Sequence, residues 1–198
     1  LETTIDPCYI SLPYVQPFTG CADLAAIGWS AFDFEDSTTD NWVCGSAGGL
    51  GPDAYLKFDW EPQVEPVQTY MRTPAFTLAG QTHVTVQVDR EIDYFQNQAN
   101  FGVAISEIGD FTDADLFWYE SATSDLEAET LTLAMPDEYL GSDVFFGFYL
   151  GLGSSYDVDE FGLDEVRICP GYAPAFAEAV EGASLTWKQS LTETLYAG

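Results

Sequence analysis

The sequence has very few basic residues. Its 198 residues include 5 Lys and Arg against 33 Asp and Glu, which gives a formal net charge of −28. Nucleic acid is a polyanion that is bound mainly through Lys and Arg, so it is a poor partner for this chain. The same charge disfavours an anionic membrane surface. The acidity fits a surface adapted to salty or cation-rich surroundings, bound calcium ions, or both.

Long hydrophobic runs and catalytic motifs are also missing. No run of about 18 apolar residues is present, so no membrane insertion is expected. The single histidine, His83, stands at the start of a predicted strand, and the sequence contains neither GxSxG nor a complete phosphate-binding loop. With 33 acids, carboxylate pairs arise by chance and do not identify a glycosidase. We therefore expect no enzyme activity and no catalytic residues.

The four cysteines, Cys8, Cys21, Cys44 and Cys169, contain no CxxC pair, so a zinc site is not indicated. The chain begins with Leu1 and shows no signal-peptide pattern, which fits a mature secreted form or an excised piece. An even cysteine count in a secreted chain favours two disulfides. We favour Cys21–Cys44 as a local staple and Cys8–Cys169 as a clasp between the first and last strands. Buried free thiols are the alternative.

Alternation of apolar and polar residues with a period of two dominates the sequence. Its clearest examples are residues 54–60, 83–92, 100–108, 130–135 and 143–150. This pattern predicts half-buried strands in antiparallel sheets, and no helix of useful length is expected. We predict an all-β fold, a jelly-roll β-sandwich of about ten to twelve strands, with a C-terminal β-strand extension.

The composition changes after Cys169. Residues 1–169 form the predicted jelly-roll domain, and residues 170–182 are a connector rich in Pro, Ala and Gly. Residues 183–198 alternate again and form the predicted extension, whose apolar face carries Leu185, Trp187, Leu191 and Leu195. A lone strand leaves its backbone groups unpaired and needs a sheet. It can fold back on its own domain, insert into a neighbouring copy by β-augmentation, or begin a further domain.

Several short motifs follow one another in a distinctive order. Thr73, Pro74, Phe76, Leu78 and Gly80 form the pattern TPxFxLxG, and the sequence LDEV at residues 163–166 follows much later. Over about residues 10–169 the chain resembles the MAM-like jelly-roll domains of bacterial surface proteins, the choice-of-anchor J and cleaved-adhesin group. In that group a TPxFxLxG segment starts the sandwich core and the last strand carries a hydrophobic-Asp-Asp-Val motif.

The resemblance implies an extracellular, non-catalytic module used in adhesion, protein–protein contact or glycan binding. It also implies a calcium site formed by acids near the first strand and the final motif. Asp164 occupies the acidic position of the final motif. The first strand has Gln16 where the pattern often carries Glu.

The acid-rich segments supply further candidate ligands for calcium. Strand alternation places Phe161 and Leu163 on one face and Gly162, Asp164 and Val166 on the other, so Asp164 and Glu165 point to opposite faces. A site then needs Asp164 together with loop oxygens. Our candidate ligands for Ca2+ are Asp164, Asp157, Asp159, Asp33 and Asp36. The alternative is a solvated acidic loop.

Aromatic residues raise the possibility of glycan binding. The chain has 5 Trp and 11 Tyr, which could form a stacking platform, although core packing is the usual role of aromatics in a sandwich. We expect Trp29 and Trp60 in the core. Since Trp118 and Tyr119 are adjacent in a predicted strand, one of them must face outward.

Two hypotheses follow for this secreted chain. The first is a structural or adhesive cell-surface protein that associates with copies of itself, in its sharpest form a filament subunit whose residues 183–196 complete the sheet of the next copy. The second is a calcium-dependent carbohydrate-binding or adhesion module of a larger secreted protein, with a glycan or a cell-surface protein as its partner.

Overall fold

The computed structural model describes residues 9–10, 12–18, 24–33, 41–48, 50–111 and 115–171. These residues form thirteen strands. In chain order the strands are β1 (Tyr9–Ile10), β2 (Tyr14–Gln16), β3 (Ser30–Asp33), β4 (Trp42–Gly48), β5 (Gly51–Asp59), β6 (Val67–Arg72), β7 (Ala75–Thr77), β8 (Val84–Tyr94), β9 (Ala99–Ser106), β10 (Leu116–Ala122), β11 (Leu126–Ala134), β12 (Asp143–Leu152) and β13 (Val158–Pro170). The helical elements are short 3-10 turns at Leu24–Ile27, Asp137–Tyr139 and Ser155–Asp157. Within the described ranges no helix is long and apolar enough to cross a bilayer.

Two sheets pack face to face, as the jelly-roll prediction requires. Sheet one has the order β11-β8-β13-β5-β4, and β2 also pairs with β13. In sheet two, β12 pairs with β6 and β9, β3 lies beyond β6, and β10 lies beyond β9. Strands β7 and β1 continue from the start of β12. The pairs are antiparallel, apart from β1 with β7. The predicted all-β sandwich is confirmed.

The core lies between the inner faces of the two sheets. Alternate residues of each long strand enter it; β8, for example, buries Val84, Val86, Val88 and Ile92. Large aromatic rings from both sheets meet there, since Phe101 of β9 lies 5.1 Å from Phe161 of β13 between ring centroids. Fully burying such a side chain contributes roughly 1.5–3 kcal/mol. The alternation seen in the sequence therefore reflects one continuous core.

The tryptophan expectations are partly confirmed. Trp29 is 1% exposed and lies in the core, but Trp60 is 37% exposed, so its expected core position is wrong. The cause is that β5 ends at Asp59, and Trp60 already belongs to the following loop. Tyr119 faces outward while Trp118 packs edge-on against Phe101, as their adjacency predicted.

The final strand departs from simple alternation. The register of β13 against β8 shifts between Asp164 and Arg167, and Glu165 adopts a positive φ of 43°. This β-bulge adds a residue to one strand, so Val166 returns to the core beside Leu163. The expectation that Val166 shares a face with Asp164 is therefore wrong.

The cysteines correct part of the disulfide expectation. Cys169, near the end of β13, is a free thiol, so the expected Cys8–Cys169 clasp is not formed. Backbone hydrogen bonds join the early and late parts of the chain instead, because β2 pairs directly with β13. Cys44 is disulfide-bonded. Cys8 and Cys21 lie outside the described residues, so the Cys21–Cys44 pairing stays a prediction.

The predicted connector and extension fall almost entirely outside the described residues. Strand β13 ends at Pro170, and the description stops at residue 171. Leu185, Trp187, Leu191 and Leu195 are therefore not placed. Their role in a self-assembly strand stays a prediction.

Candidate functional site

Asp157, a predicted calcium ligand, is fully buried and hydrogen-bonded. Its Oδ1 accepts a hydrogen bond of 2.6 Å from Asn97 Nδ2, and its Oδ2 accepts one of 2.9 Å from Ser154 N. The second bond is half of a capping box, in which Ser154 Oγ accepts from the backbone of the turn Ser155–Asp157. Both carboxylate oxygens therefore hold protein groups, which gives Asp157 a structural role.

The other predicted ligands do not gather around Asp157. Asp159 is exposed. Asp164 lies beside the bulge, where its Oδ1 accepts a hydrogen bond of 2.7 Å from Glu165 N. Asp36 and the side chain of Asp33 lie outside the described residues. Among the residues that the structure does describe, no group of three or more His, Cys, Asp or Glu could hold a metal ion. The calcium site stays a prediction.

The outer face of sheet one concentrates negative charge. Glu160 of β13 lies opposite both Asp93 of β8 and Asp59 of β5. Like charges directly opposite one another destabilise a sheet. Lys57 offsets part of this repulsion, since its Nζ lies 2.9 Å from Asp59 Oδ2 and 3.4 Å from Glu160 Oε2.

Two acids of this face ionise less readily than usual. Burial, followed by the negative charges of Glu160 and Asp93, raises the pKa of Glu91 above its ordinary value of 4.5. Burial, followed by the charges of Asp159 and Asp125, raises the pKa of Asp93 above 3.8. Each carboxyl group resists ionisation because it is partly buried and because its neighbours carry negative charge. Sheet one therefore presents a crowded anionic surface.

Tyr55 fills a gap left by two glycines on this same face. A Cβ on Gly45 would lie 2.6 Å from Tyr55 Cζ, and one on Gly162 would lie 3.3 Å from Tyr55 Cε2. The Tyr55 hydroxyl donates a hydrogen bond to Glu160 Oε1, and burial together with this bond raises its pKa above the usual 10. Because the ring is 3% exposed, it completes the sheet and offers no open stacking surface.

The outer face of sheet two has the opposite character. Strand pairing places together most of the outward positions of β3, β6, β9, β10 and β12: Ser30, Phe32, Gln68, Tyr70, Arg72, Asn100, Gly102, Ala104, Ser106, Leu116, Tyr119, Ser121, Phe145, Gly147, Tyr149 and Gly151. None of these described positions holds Asp or Glu, in a chain with 33 acids. We call this set the carboxylate-free face. Asp143, the first residue of β12, also points outward, but it lies beyond Phe145, where β12 pairs with β7.

Hydroxyl and amide groups form a line across the carboxylate-free face. Ser121, Asn100, Gly151 and Gln68 lie side by side on β10, β9, β12 and β6. A Cβ on Gly151 would collide with the Tyr149 hydroxyl, so glycine lets that hydroxyl occupy the middle of the line. We call Ser121, Asn100, Tyr149 Oη and Gln68 the polar row. Strands lie about 4.8 Å apart, which makes the row about 14 Å long.

Neighbouring groups fix the orientation of the Asn100 side chain in the polar row. Its Oδ1 accepts hydrogen bonds from Ser121 Oγ at 2.9 Å and from Gln98 Nε2 at 2.7 Å. No hydrogen bond joins Asn100 Nδ2 to an acceptor within the described part of the chain. Gln68 is exposed two strands away, on the other side of Gly151. The row thus combines donors and acceptors on a rigid sheet, as a site for hydroxyl-rich ligands requires.

Aromatic rings occupy the rows next to the polar row. Tyr70 stacks on Phe111 with centroids 5.0 Å apart and an interplanar angle of 21°, and it also contacts Tyr149 at 5.0 Å. Gly147 leaves room for this cluster, because a Cβ there would lie 2.9 Å from Tyr70 Cδ1 and from Phe111 Cζ. The cluster fixes Tyr149 in place. Tyr119, which is 50% exposed, supplies an open ring beside the row.

Sequence reasoning missed the polar row because it searched for acids. A signal was nevertheless present in the strand sequences. The segments FGVAIS (101–106) and VFFGFYLGL (144–152) contain no Asp or Glu, and Gly147 and Gly151 of the second segment lie on one face of the strand. Such strands indicate a face where another side chain or a ligand approaches the backbone closely.

Comparison with known proteins supports the fold. No protein-family model and no curated protein matches the sequence. The K1 cleaved adhesin domain of Lys-gingipain from Porphyromonas gingivalis W83 is similar in structure, with a TM-score of 0.59 and 18% identity over 81% of this chain and 99% of that domain. The K3 cleaved adhesin domain of the same protein has a TM-score of 0.53 and 16% identity, over 73% of this chain and 92% of that domain.

A solved structure of carbohydrate-binding modules from the β-sandwich superfamily is also similar. Its TM-score is 0.50 at 11% identity, over 77% of this chain and 61% of that one. At such low identities these likenesses define a class of fold: a jelly-roll β-sandwich of the kind found in cleaved adhesin domains and carbohydrate-binding modules.

Proposed function

We propose that this chain is an extracellular, non-catalytic adhesion module that binds neutral glycans on the carboxylate-free face. The polar row carries the proposal, because it aligns hydroxyl and amide groups within a set of positions that hold no acid, in a chain of net charge −28. Sugar hydroxyls both donate and accept hydrogen bonds, and these groups can do the same. An anionic glycan would be repelled by the rest of the molecule.

The aromatic residues beside the polar row support the same proposal. Tyr119 offers an exposed ring on which the apolar face of a sugar can stack. The Tyr149 ring is 7% exposed and offers no stacking surface, but its hydroxyl lies over Gly151 in the row. Both side chains stand on strands, which hold a site more firmly than loops do. Binding would need no bond-making step, so the mechanism is recognition alone.

The fold is compatible with this role. The similar structures are named as cleaved adhesin domains and carbohydrate-binding modules. The resemblance to MAM-like domains of bacterial surface proteins favours the same extracellular setting. Calcium dependence through Asp164 is part of this proposal.

A printed array of neutral and acidic glycans tests the proposed function. We expect the unaltered chain to bind neutral glycans, and Asn100→Ala or Tyr119→Ala to weaken that binding about tenfold, the effect of losing roughly 1.4 kcal/mol. Gln87→Ala is the matched control, because Gln87 is also a strand amide that bonds a hydroxyl, Thr132 Oγ1 at 3.2 Å, but on sheet one.

Two results would overturn the proposal. One is the absence of binding to every neutral glycan. The other is an equal loss of binding in Gln87→Ala and Asn100→Ala, which would place the ligand elsewhere or reflect a general loss of structure.

Strand donation by residues 183–196 is a second candidate function. It is favoured by the alternating apolar residues Leu185, Trp187, Leu191 and Leu195. A head-to-tail contact of this kind does not close on itself and therefore produces fibres. Electron microscopy of the intact chain beside a version ending at Gly182 tests it. Fibres that disappear on truncation would support strand donation, and monomers from both versions would remove it.

A further inference from the structure

Aromatic side chains project from three loops at one end of the sandwich. Trp60 is 37% exposed and Phe95 is 61% exposed. Tyr156 packs against Trp60, with ring centroids 5.2 Å apart and an interplanar angle of 58°. We call Trp60, Phe95 and Tyr156 the aromatic end.

Hydrogen bonds hold these three loops together. Ser155 Oγ donates to Trp60 O at 2.8 Å, and Ser155 N donates to Val64 O at 2.9 Å. Phe95 N and Gln96 N each donate to Asp157 O at 3.1 Å. Ser155 and Asp157 are both fully buried and flank Tyr156 in the sequence. The aromatic rings therefore extend from a backbone that is tied to the fold.

Exposed rings on a fixed backbone are suited to binding. Apolar surface in contact with water is unfavourable, and exposed apolar patches with polar surroundings often mark binding sites. Because the loops are already ordered, a ligand would not have to immobilise them, which lowers the entropic cost of association. The buried Asp157, expected to bind a metal, here organises a surface.

Each of these loops is directly connected to a strand of the polar row. Residues 60–66 run directly into β6, which carries Gln68, and β12 runs from Gly151 towards Tyr156. Phe95 lies in the loop that precedes β9. In the same loop, Gln98 Nε2 donates a hydrogen bond of 2.7 Å to Asn100 Oδ1. The aromatic end thus lies at the same end of the sandwich as the polar row.

We infer that the binding site continues from the polar row over the end of the sandwich to the aromatic end, so that the module takes an extended neutral oligosaccharide. This inference rests on the proposed function. The polar row would bind the hydroxyl edges of the first sugars. Trp60 and Tyr156 would contact the apolar ring faces of later ones.

Calorimetric titration with neutral oligosaccharide ladders tests the inference. The probes are gluco-, xylo- and galacto-oligosaccharides, from monosaccharide to hexasaccharide. For the ladder that the chain binds, we expect the affinity to rise with the length of the oligosaccharide. Trp60→Ala should weaken hexasaccharide binding about tenfold, as loss of a well-packed anchor does, and leave the shortest binding oligosaccharide unaffected.

Ile108→Ala is the matched control. Ile108 is 77% exposed but lies after β9, at the opposite end of that strand from Phe95. The Ile108→Ala variant should bind oligosaccharides of every length as the unaltered chain does. Phe95→Ala is a second test variant in case Trp60→Ala unfolds, which thermal unfolding would reveal.

The outcomes distinguish the extended site from the polar row alone. Affinity that does not change with length, or a Trp60→Ala loss that is equal at every length, would overturn the extended site while leaving the polar row intact. Failure of every ladder to bind the unaltered chain would overturn this inference, and the absence of any bound neutral glycan on the array would overturn the proposed function with it.

Discussion

At the scale of single residues, Asp157 shows how an acid can be misinterpreted. The stretch YDVDE has the composition of a solvated or metal-binding segment. The structure instead uses Asp157 to bind Asn97 and Ser154 inside the fold. The sequence did contain a sign of this role, because Ser154 and Asp157 have the spacing of a capping box. Its complete burial could not be read from the sequence, since Asn97 is 60 positions away.

Replacing Asp157 with Ala should destabilise the fold strongly. The change leaves Asn97 Nδ2 and Ser154 N without their buried acceptor, which costs about 2–4 kcal/mol. Denaturant unfolding measures this loss. The neighbouring Asp159→Ala is the control, because Asp159 is exposed and its removal relieves repulsion. Equal effects of the two changes would contradict a structural role for Asp157.

Glu91 gives a prediction about pH. Burial and neighbouring charges raise its pKa in the folded state, so the folded chain binds a proton more readily there than the unfolded chain does. Its stabilising contribution is present below the unfolded value of 4.5 and is lost as pH rises through the raised folded value. Glu91→Gln removes this loss of stability, because the glutamine side chain cannot ionise.

Thermal unfolding across pH 4 to 8 measures the effect of Glu91→Gln. The unfolding temperature of the variant should exceed that of the unaltered chain by a few degrees near neutral pH. The difference should shrink towards pH 4. For a chain of this size, a change of about 2–4 °C corresponds to 1 kcal/mol of stability. A difference that grows towards acid pH would contradict the assignment.

At the scale of elements, alternation predicted the strands well and failed at one position. Strands β8 and β12 follow their sequence patterns closely. In β13 the pattern FGLDEVRI suggested a single uninterrupted alternation, and the bulge at Glu165 broke it. Alternation assumes a constant register, and a bulge is set by pairing with distant strands. The sequence of β13 alone could not reveal it.

The bulge can be tested by substitution at Glu165. Its positive φ is tolerated by Asn but strained for a β-branched residue. Glu165→Val should be less stable than Glu165→Asn by about 1–2 kcal/mol, and both variants lose the ion pair with Arg167 equally. Denaturant unfolding of the pair provides the comparison. Equal stabilities would mean that the strand adopts a regular register in solution.

At the scale of the whole molecule, charge is divided between the two outer faces. Sheet one carries opposed carboxylates such as Glu160 and Asp93, whereas the carboxylate-free face of sheet two carries hydroxyls, amides and aromatic rings. The net charge was evident from composition, but its distribution depends on strand order. Ser121, Asn100 and Gln68 are far apart in the sequence, and pairing through β9, β12 and β6 alone brings them into a row. The candidate site was therefore not predictable from local patterns.

The most direct test of the central claim is nuclear magnetic resonance mapping of a bound neutral hexasaccharide from the ladder that binds. The account predicts that backbone amide shifts change at Gln68, Asn100, Tyr119 and Ser121, while the amides around Glu91 and Glu160 stay unchanged. Shift changes confined to the acidic face of sheet one would contradict it, and the carboxylate-free face would then not be the binding surface.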